Sequence, residues 1–192
     1  MNGALAYKDE YEEYEIINGQ EYMMARPSID HIRIEKNIIG LFDRYLKGKK
    51  CEAFNEPDVF LSKKDDHIIP DVVIVCNPEI ITEKRIEGVP DLIVEILSPS
   101  TEKKDRIDKL LLYEKYGVKE YWLVDPIRKS VTVYLLRDGN FELDDIYYFY
   151  TEEEWADMDS EERAQAEAQQ KIKVSLYEDF IVDVNDVFED VD

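Results

Sequence analysis

The stretch PDLIVEILSPSTEKKDRIDKLLLYEKYG, residues 90–117, decides how this chain is read. Its apolar run LIVEIL (92–97) reads as a strand covered on both faces, yet it carries a carboxylate, Glu95, in its middle. An ionised carboxylate without a partner in such a place costs several kcal/mol or takes up a proton. Glu95 therefore calls for a cation, a hydrogen-bond network or an exposed strand end. SPST (98–101) then turns the chain, and Ser100 or Thr101 can cap a helix running to about Tyr116. Gly117 suits the left-handed position just past that helix.

Working outward, YEIINGQEYMM (14–24) places Asn18-Gly19 between two apolar-rich halves, a strong hairpin signal. Pro27-Ser28 opens a helix with Ser28 as its N-cap. Ile32, Ile38, Ile39, Phe42, Tyr45 and Leu46 supply its apolar side, and Gly48 ends it. CEAFNEPDVFLS (51–62) reads as a strand in which Pro57 marks an edge or bulge. KKDD (63–66) is a turn, and HIIPDVVIVCN (67–77) is a second strand. Beyond Gly117, EYWLVD (120–125) and SVTVYLL (130–136) are strands joined by an Asp-Pro turn. Asp138-Gly139-Asn140 leads into the aromatic strand FELDDIYYFY, and KVSLYEDFIVDVNDVFED closes the pattern with a strand and a short helix. This order implies an α/β (α+β) fold: a mixed sheet flanked by helices, with an N-terminal hairpin, in one domain over residues 1–192.

With 192 residues, 44% hydrophobic and 36% charged, the chain reads as globular, and no segment has the apolar length of a membrane span. Its first residues lack the basic start and apolar block of a signal peptide, which implies a cytoplasmic protein. Cys51 and Cys76 are far apart, form no CxxC, and read as free thiols of a reducing compartment. Two cysteines and two histidines, His31 and His67, offer no zinc-finger spacing. The net charge of −21 counts against a polyanionic partner. It is uneven, however: residues 151–170, read as an acidic helical insertion, hold eight acidic residues and one arginine. Basic residues gather at 47–50, at Lys63–Lys64, and at Lys103, Lys104, Arg106 and Lys109, so a locally positive groove remains open. The aromatic IYYFY (146–150), read as exposed, invites self-association as a homodimer.

Two strands bring carboxylates to notable places. Asp71 opens DVVIV directly after Pro70, and Glu95 lies in the next buried strand. If those strands are neighbours, the two carboxylates meet, and they repel unless a divalent cation sits between them. Magnesium suits such a site, because it takes hard oxygen ligands and keeps waters and substrate phosphates; the carbonyl of Ile96 offers a further ligand. On the following helix Lys109 has Asp105 four residues before it and Tyr113 four after, all on one side. Lys109 facing the carboxylates would orient water or stabilise developing charge. The bland alternative is a solvated Asp105–Lys109 ion pair worth about 0.2–0.5 kcal/mol. His31 and Glu35, four apart on the first helix, read as a surface pair, with an accessory contact or a metal ligand as the alternatives, and Asp91 and Asp125 as strand-entry and turn residues.

YEIINGQEYMM, His31, IPDVVIVCN, GVPDLIVEILSPST, DRIDKLLLYEKYGV, EYWLVDP and SLYEDFIVDVNDVF together resemble the Uma2 family of the PD-(D/E)XK restriction-endonuclease-like superfamily. The resemblance implies a restriction-endonuclease-like fold and a Mg²⁺- or Mn²⁺-dependent endonuclease acting on DNA, with no organic cofactor. It carries the superfamily's aspartate onto Asp71 and its second acid onto Glu95, while the usual lysine two positions on is Leu97 here. Lys109, or alternatively Lys103 or Lys104, would then serve from the next helix, and Glu35 would be the acid drawn from the first. The competing readings are a catalytically silent nuclease-like fold that binds nucleic acid or protein, and a metal-free hydrolase using two carboxylates.

Overall fold

The computed structural model describes residues 14–62 and 66–191. Strands β1 (Tyr14–Ile17) and β2 (Gln20–Met23) form the hairpin, turned by Asn18 and Gly19 at φ of 51° and 77°. Two consecutive positive φ values define the turn whose twist matches the flanking strands, and Asn-Gly is the pair that adopts them most readily. Helix α1 (Ile29–Leu46) begins at Ser28, whose hydroxyl accepts the His31 N–H at 3.2 Å. Ile34, Ile38, Phe42 and Leu46, spaced by four, face the core. Ile32 is 45% exposed and stands outside that stripe, contrary to its reading as an apolar-face residue.

Both segments read as long strands break at proline. Residues 51–62 give β3 (Glu52–Asn55) and β4 (Val59–Phe60), separated by Glu56 at φ 45° and Pro57. Residues 67–77 give β5 (His67–Ile68) and β6 (Val72–Val75), separated at Pro70. Proline lacks the N–H that a ladder needs, so each chain leaves one sheet and enters another there. The expected turn at 63–66 lies outside the described residues except for Asp66.

Three strands with their helices complete the centre: β7 (Leu92–Ile96), a helical stretch wound as a π-helix over Lys104–Lys109 that continues as α2 (Leu110–Tyr116), β8 (Glu120–Asp125) and β9 (Ser130–Arg137). Gly117 closes α2 in the left-handed region at φ 83°. Strand β10 (Asn140–Tyr148) follows, then α3 (Glu152–Asp157), α4 (Ser160–Ala168), β11 (Lys171–Lys173), β12 (Ile181–Asp183) and α5 (Val184–Val187). The central sheet has the order β10-β9-β8-β7-β6-β3, in which β7 and β8 run parallel and the other pairs antiparallel. A smaller sheet, β2-β1-β5-β4, carries the hairpin. Each acidic helix of 151–168 opens with a capping box, on Thr151 and on Asp159.

Alternation along the strands divides the core. Val72, Ile74, Leu92, Val94 and Trp122 pack under α1 and the C-terminal elements, where the Phe42 and Trp122 rings meet edge to face at 5.6 Å. Val73, Val75, Ile93, Tyr121 and Leu123 pack on the other face against α2 and the small sheet. IYYFY is not the exposed stretch it was read as: Tyr147 is buried and its neighbours are half-buried. Phe149 lies against Phe188, and Tyr150 against Trp155. The ground for expecting a homodimer there disappears.

The cysteines also depart from expectation. Cys51 precedes β3 and Cys76 follows β6, and the register Glu52–Val75 sets them face to face, where they form a disulfide with Cα atoms 4.0 Å apart. Their separation of 25 residues hid this, because it becomes proximity only once β3 and β6 are paired. The pairing removes free thiols as an argument for a reducing compartment. Among the described residues no helix is long and apolar enough to cross a membrane.

Candidate active site

Strand register brings the two carboxylates together. Val72 pairs with Val94 across β6 and β7, and one step further the same register sets Asp71 opposite Glu95. Both side chains then leave the sheet on the face toward α2 and the small sheet. Asp71 Oδ2 accepts the Ile96 N–H at 2.5 Å, and Oδ1 lies 2.9 Å from His31 Nε2 in the first turn of α1.

Glu95 finds its partners on the helix that follows SPST. Its Oε1 accepts from Lys109 Nζ at 2.8 Å and from the Tyr113 hydroxyl at 2.6 Å. The π winding of Lys104–Lys109 matters here, because i→i+5 hydrogen bonding aligns residues five apart. Lys104 and Lys109 consequently reach one carboxylate, Glu15 on β1, at 2.6 Å and 2.7 Å. Glu15 Oε1 also accepts the Ile69 N–H at 3.3 Å. Asp105, one turn before Lys109, has Oδ1 at 3.7 Å from its Nζ. Among the described residues, Asp105 Oδ1 is the buried side-chain oxygen that lacks a hydrogen bond.

These groups perturb one another strongly. Burial pushes the Glu95 carboxyl well above its usual range; Lys109 opposes this, while Asp105, Asp71 and Glu15 reinforce it. Burial alone would lower Lys109, but Glu95, Glu15 and Asp105 more than reverse it and hold the ammonium charged. Burial also raises Asp105, against the pull of Lys109. Glu15 is buried too, yet Lys109 and Lys104 bring it below the ordinary carboxylate value. Burial opposes the charge on His31, but its contact with Asp71 raises it.

The groups border a cavity of about 620 Å³ whose walls include Glu15, His31, Asp71, Glu95, Ile96, Lys104, Asp105 and Lys109. Met24–Ser28, the SPST turn and Pro126–Ile127 also line it. Tyr113 sits behind it, fully buried. The bland reading of Asp105 and Lys109 fails, since they are only 2% and 3% exposed. Two sequence candidates fall outside. Lys103 is exposed and does not line the cavity, and Glu35, buried beside it, turns to Asn55 Nδ2 at 3.0 Å, so His31 and Glu35 are no surface pair. Asp91 and Asp125 hold the local positions expected of them, accepting the Cys76 N–H and the Ile127 and Arg128 N–H groups respectively. Glu15 was missed. Its signal was its place on the same hairpin face as the buried Ile17.

As they stand, no three Asp, Glu, His or Cys side chains among the described residues are grouped to hold a metal ion. A set of two carboxylates falls below that count and remains what magnesium commonly uses from a protein.

The chain matches the family model for Uma2, described as "Putative restriction endonuclease", over residues 4–167. It is 32% identical over 129 residues to "Uncharacterized protein slr1290" of Synechocystis sp. (strain ATCC 27184 / PCC 6803 / Kazusa), covering 66% of this chain and 68% of that one. Its fold is similar to the crystal structure of a "putative nuclease belonging to DUF820" from Anabaena variabilis ATCC 29413, with a TM-score of 0.68 at 21% identity over 93% of this chain and 90% of the other. With a match over residues 4–167, most of its length, the chain belongs to the Uma2 family of restriction-endonuclease-like proteins.

Proposed function

We propose that the chain is a Mg²⁺- or Mn²⁺-dependent endonuclease that hydrolyses phosphodiester bonds of DNA in this cavity. One observation carries the reading. Four buried carboxylates, Glu15, Asp71, Glu95 and Asp105, border the cavity against two lysines, Lys104 and Lys109. The excess of acids over lysines, with Glu95 and Asp105 raised by burial and an oxygen of Asp105 orphaned, is what one divalent cation would offset by favouring the ionised carboxylates.

The donor set fits a hard cation. Asp71 and Glu95 would hold it, with the Ile96 carbonyl as a further ligand. When bound, the metal would lower the pKa of a coordinated water and offset charge on the phosphoryl group. The chain's own residues do the rest. His31 and the Ile96 N–H fix the orientation of Asp71. Lys109 and Tyr113 both engage Oε1 of Glu95, which leaves Oε2 for a ligand. Lys109 would serve in place of the superfamily's lysine, arriving from the helix because Leu97 occupies the strand position. The charge of −21 works against a polyanion overall, and at the reacting phosphate the cation would supply positive charge locally.

Calorimetric titration of Mn²⁺ into the natural chain and into Glu95→Ala tests the proposal, followed by cleavage of plasmid DNA. Binding by the natural chain and loss in a folded Glu95→Ala variant are expected. Absence of binding by both would sink the nuclease reading and leave a silent nuclease-like scaffold.

A further inference from the structure

We infer that Glu15 is a positioning residue of this centre: delivered by the N-terminal hairpin, it sets the place of the Lys109 ammonium. The inference rests on the nuclease reading for its catalytic consequence, but not for its geometry.

Glu15 is 1% exposed and comes from a different sheet than Asp71 and Glu95. Its carboxylate bridges Lys104 and Lys109 with one oxygen to each, and the oxygen on Lys109 also receives the Ile69 N–H. Ile69 lies two residues before Asp71, so one side chain ties the lysine and the approach to the second carboxylate strand together. Lys109 is thereby held between Glu15 at 2.7 Å and Glu95 at 2.8 Å. Two opposed anchors fix a flexible four-carbon side chain; one would let it swing toward Asp105, 3.7 Å away. The π winding is what permits the bridge, because it sets Lys104 beside Lys109. Lys104 is further held over the Tyr22 ring at 5.3 Å, on the second strand of the same hairpin. The hairpin is thus tied into the site at Glu15 and at Tyr22.

Glu15→Gln keeps the shape and removes the charge. In protein labelled with ¹⁵N at lysine Nζ, the clamped Lys109 ammonium is expected to give a slowly exchanging signal, identified by its loss in Lys109→Arg. In Glu15→Gln its hydrogens should exchange at least about tenfold faster. In cleavage assays the same variant should lose about a hundredfold in kcat while its KM for DNA and its Mn²⁺ affinity stay unchanged. An unchanged ammonium signal in folded Glu15→Gln overturns the inference. If that variant does not fold, Glu15→Asp takes its place; the shortened carboxylate cannot span both lysines, and an unchanged signal there overturns it equally. A natural chain that cleaves nothing with Mn²⁺ defeats the nuclease reading alone, and the exchange measurement still decides the role of Glu15.

Discussion

Replacing Lys109 by methionine tests the electrostatic core of the site. Methionine keeps most of the side-chain length, so little cavity is made, but the cation is lost. Glu15, Glu95 and Asp105 then face one another with Lys104 as the remaining ammonium, and Lys104 is paired with Glu15. Removing one partner of a buried ion pair costs about 3–5 kcal/mol, because the other charge stays buried. At roughly 2–4 °C per kcal/mol for a chain of this size, the thermal midpoint should fall by about 6–20 °C. The loss should depend on pH with a definite sign. In the natural chain Glu15 is held below its usual value by Lys109 and Lys104, so its contribution is present above the unfolded carboxylate value and lost as pH falls. In the variant that contribution is weakened at every pH, while Glu95 and Asp105, already raised by burial, take up protons and lose their repulsion. Urea unfolding at pH 7.5 and pH 5 should therefore show a smaller difference between the two proteins at the lower pH. A destabilisation under about 1 kcal/mol that does not vary with pH would refute Lys109 as the counter-ion that holds these carboxylates together.

Tyr113→Phe removes one charge-assisted hydrogen bond to Glu95 and should cost about 1.5–3 kcal/mol in urea unfolding; an equal midpoint would mean the hydroxyl contributes nothing there. Deleting the disulfide as Cys51→Ala with Cys76→Ala should cost about 2–4 kcal/mol, and a reductant should lower the midpoint of the natural chain alone. If reductant leaves that chain untouched, the bond does not form in solution. Asp125 is held below the usual carboxylate range: burial opposes this, but the Arg128 N–H and side chain and the Ile127 N–H outweigh it. Its stabilisation is present above the unfolded value and lost as pH falls through the folded one, so the gap between the natural chain and Asp125→Asn should close in acid. A gap that widens on acidification contradicts the assignment.

Much of this site was legible because burial of charge leaves a mark in sequence. A carboxylate inside LIVEIL demanded a partner, and the spacing of Asp105, Lys109 and Tyr113 named the helix face that supplies it. Glu15 escaped for a physical reason. It lies in an acidic run, KDEYEEYE, where one more carboxylate carries no contrast, and 80 residues separate its α-carbon from that of Glu95 along the chain. The strand breaks at Pro57 and Pro70 were visible as prolines, but nothing local says that a strand resumes in another sheet. The disulfide was hidden for the same reason, since pairing of β3 with β6 is a long-range choice made by the core.

The π-wound stretch holds one residue more than ordinary winding would need to join the same two lysines. An α-helix turns about 100° per residue, so deleting one residue between Lys104 and Lys109 would let the helix relax into ordinary winding without breaking the chain. Lys104 would then stand four residues before Lys109, a spacing that ordinary winding places on one side of a helix, so Lys104, Lys109 and Tyr113 would keep a common face. The lysine pair on Glu15 would survive the loss of a residue between them. A relative with a one-residue gap in this stretch would therefore present the same pair of lysines from ordinary winding, so alignments of such chains should allow that gap before the lysines are matched.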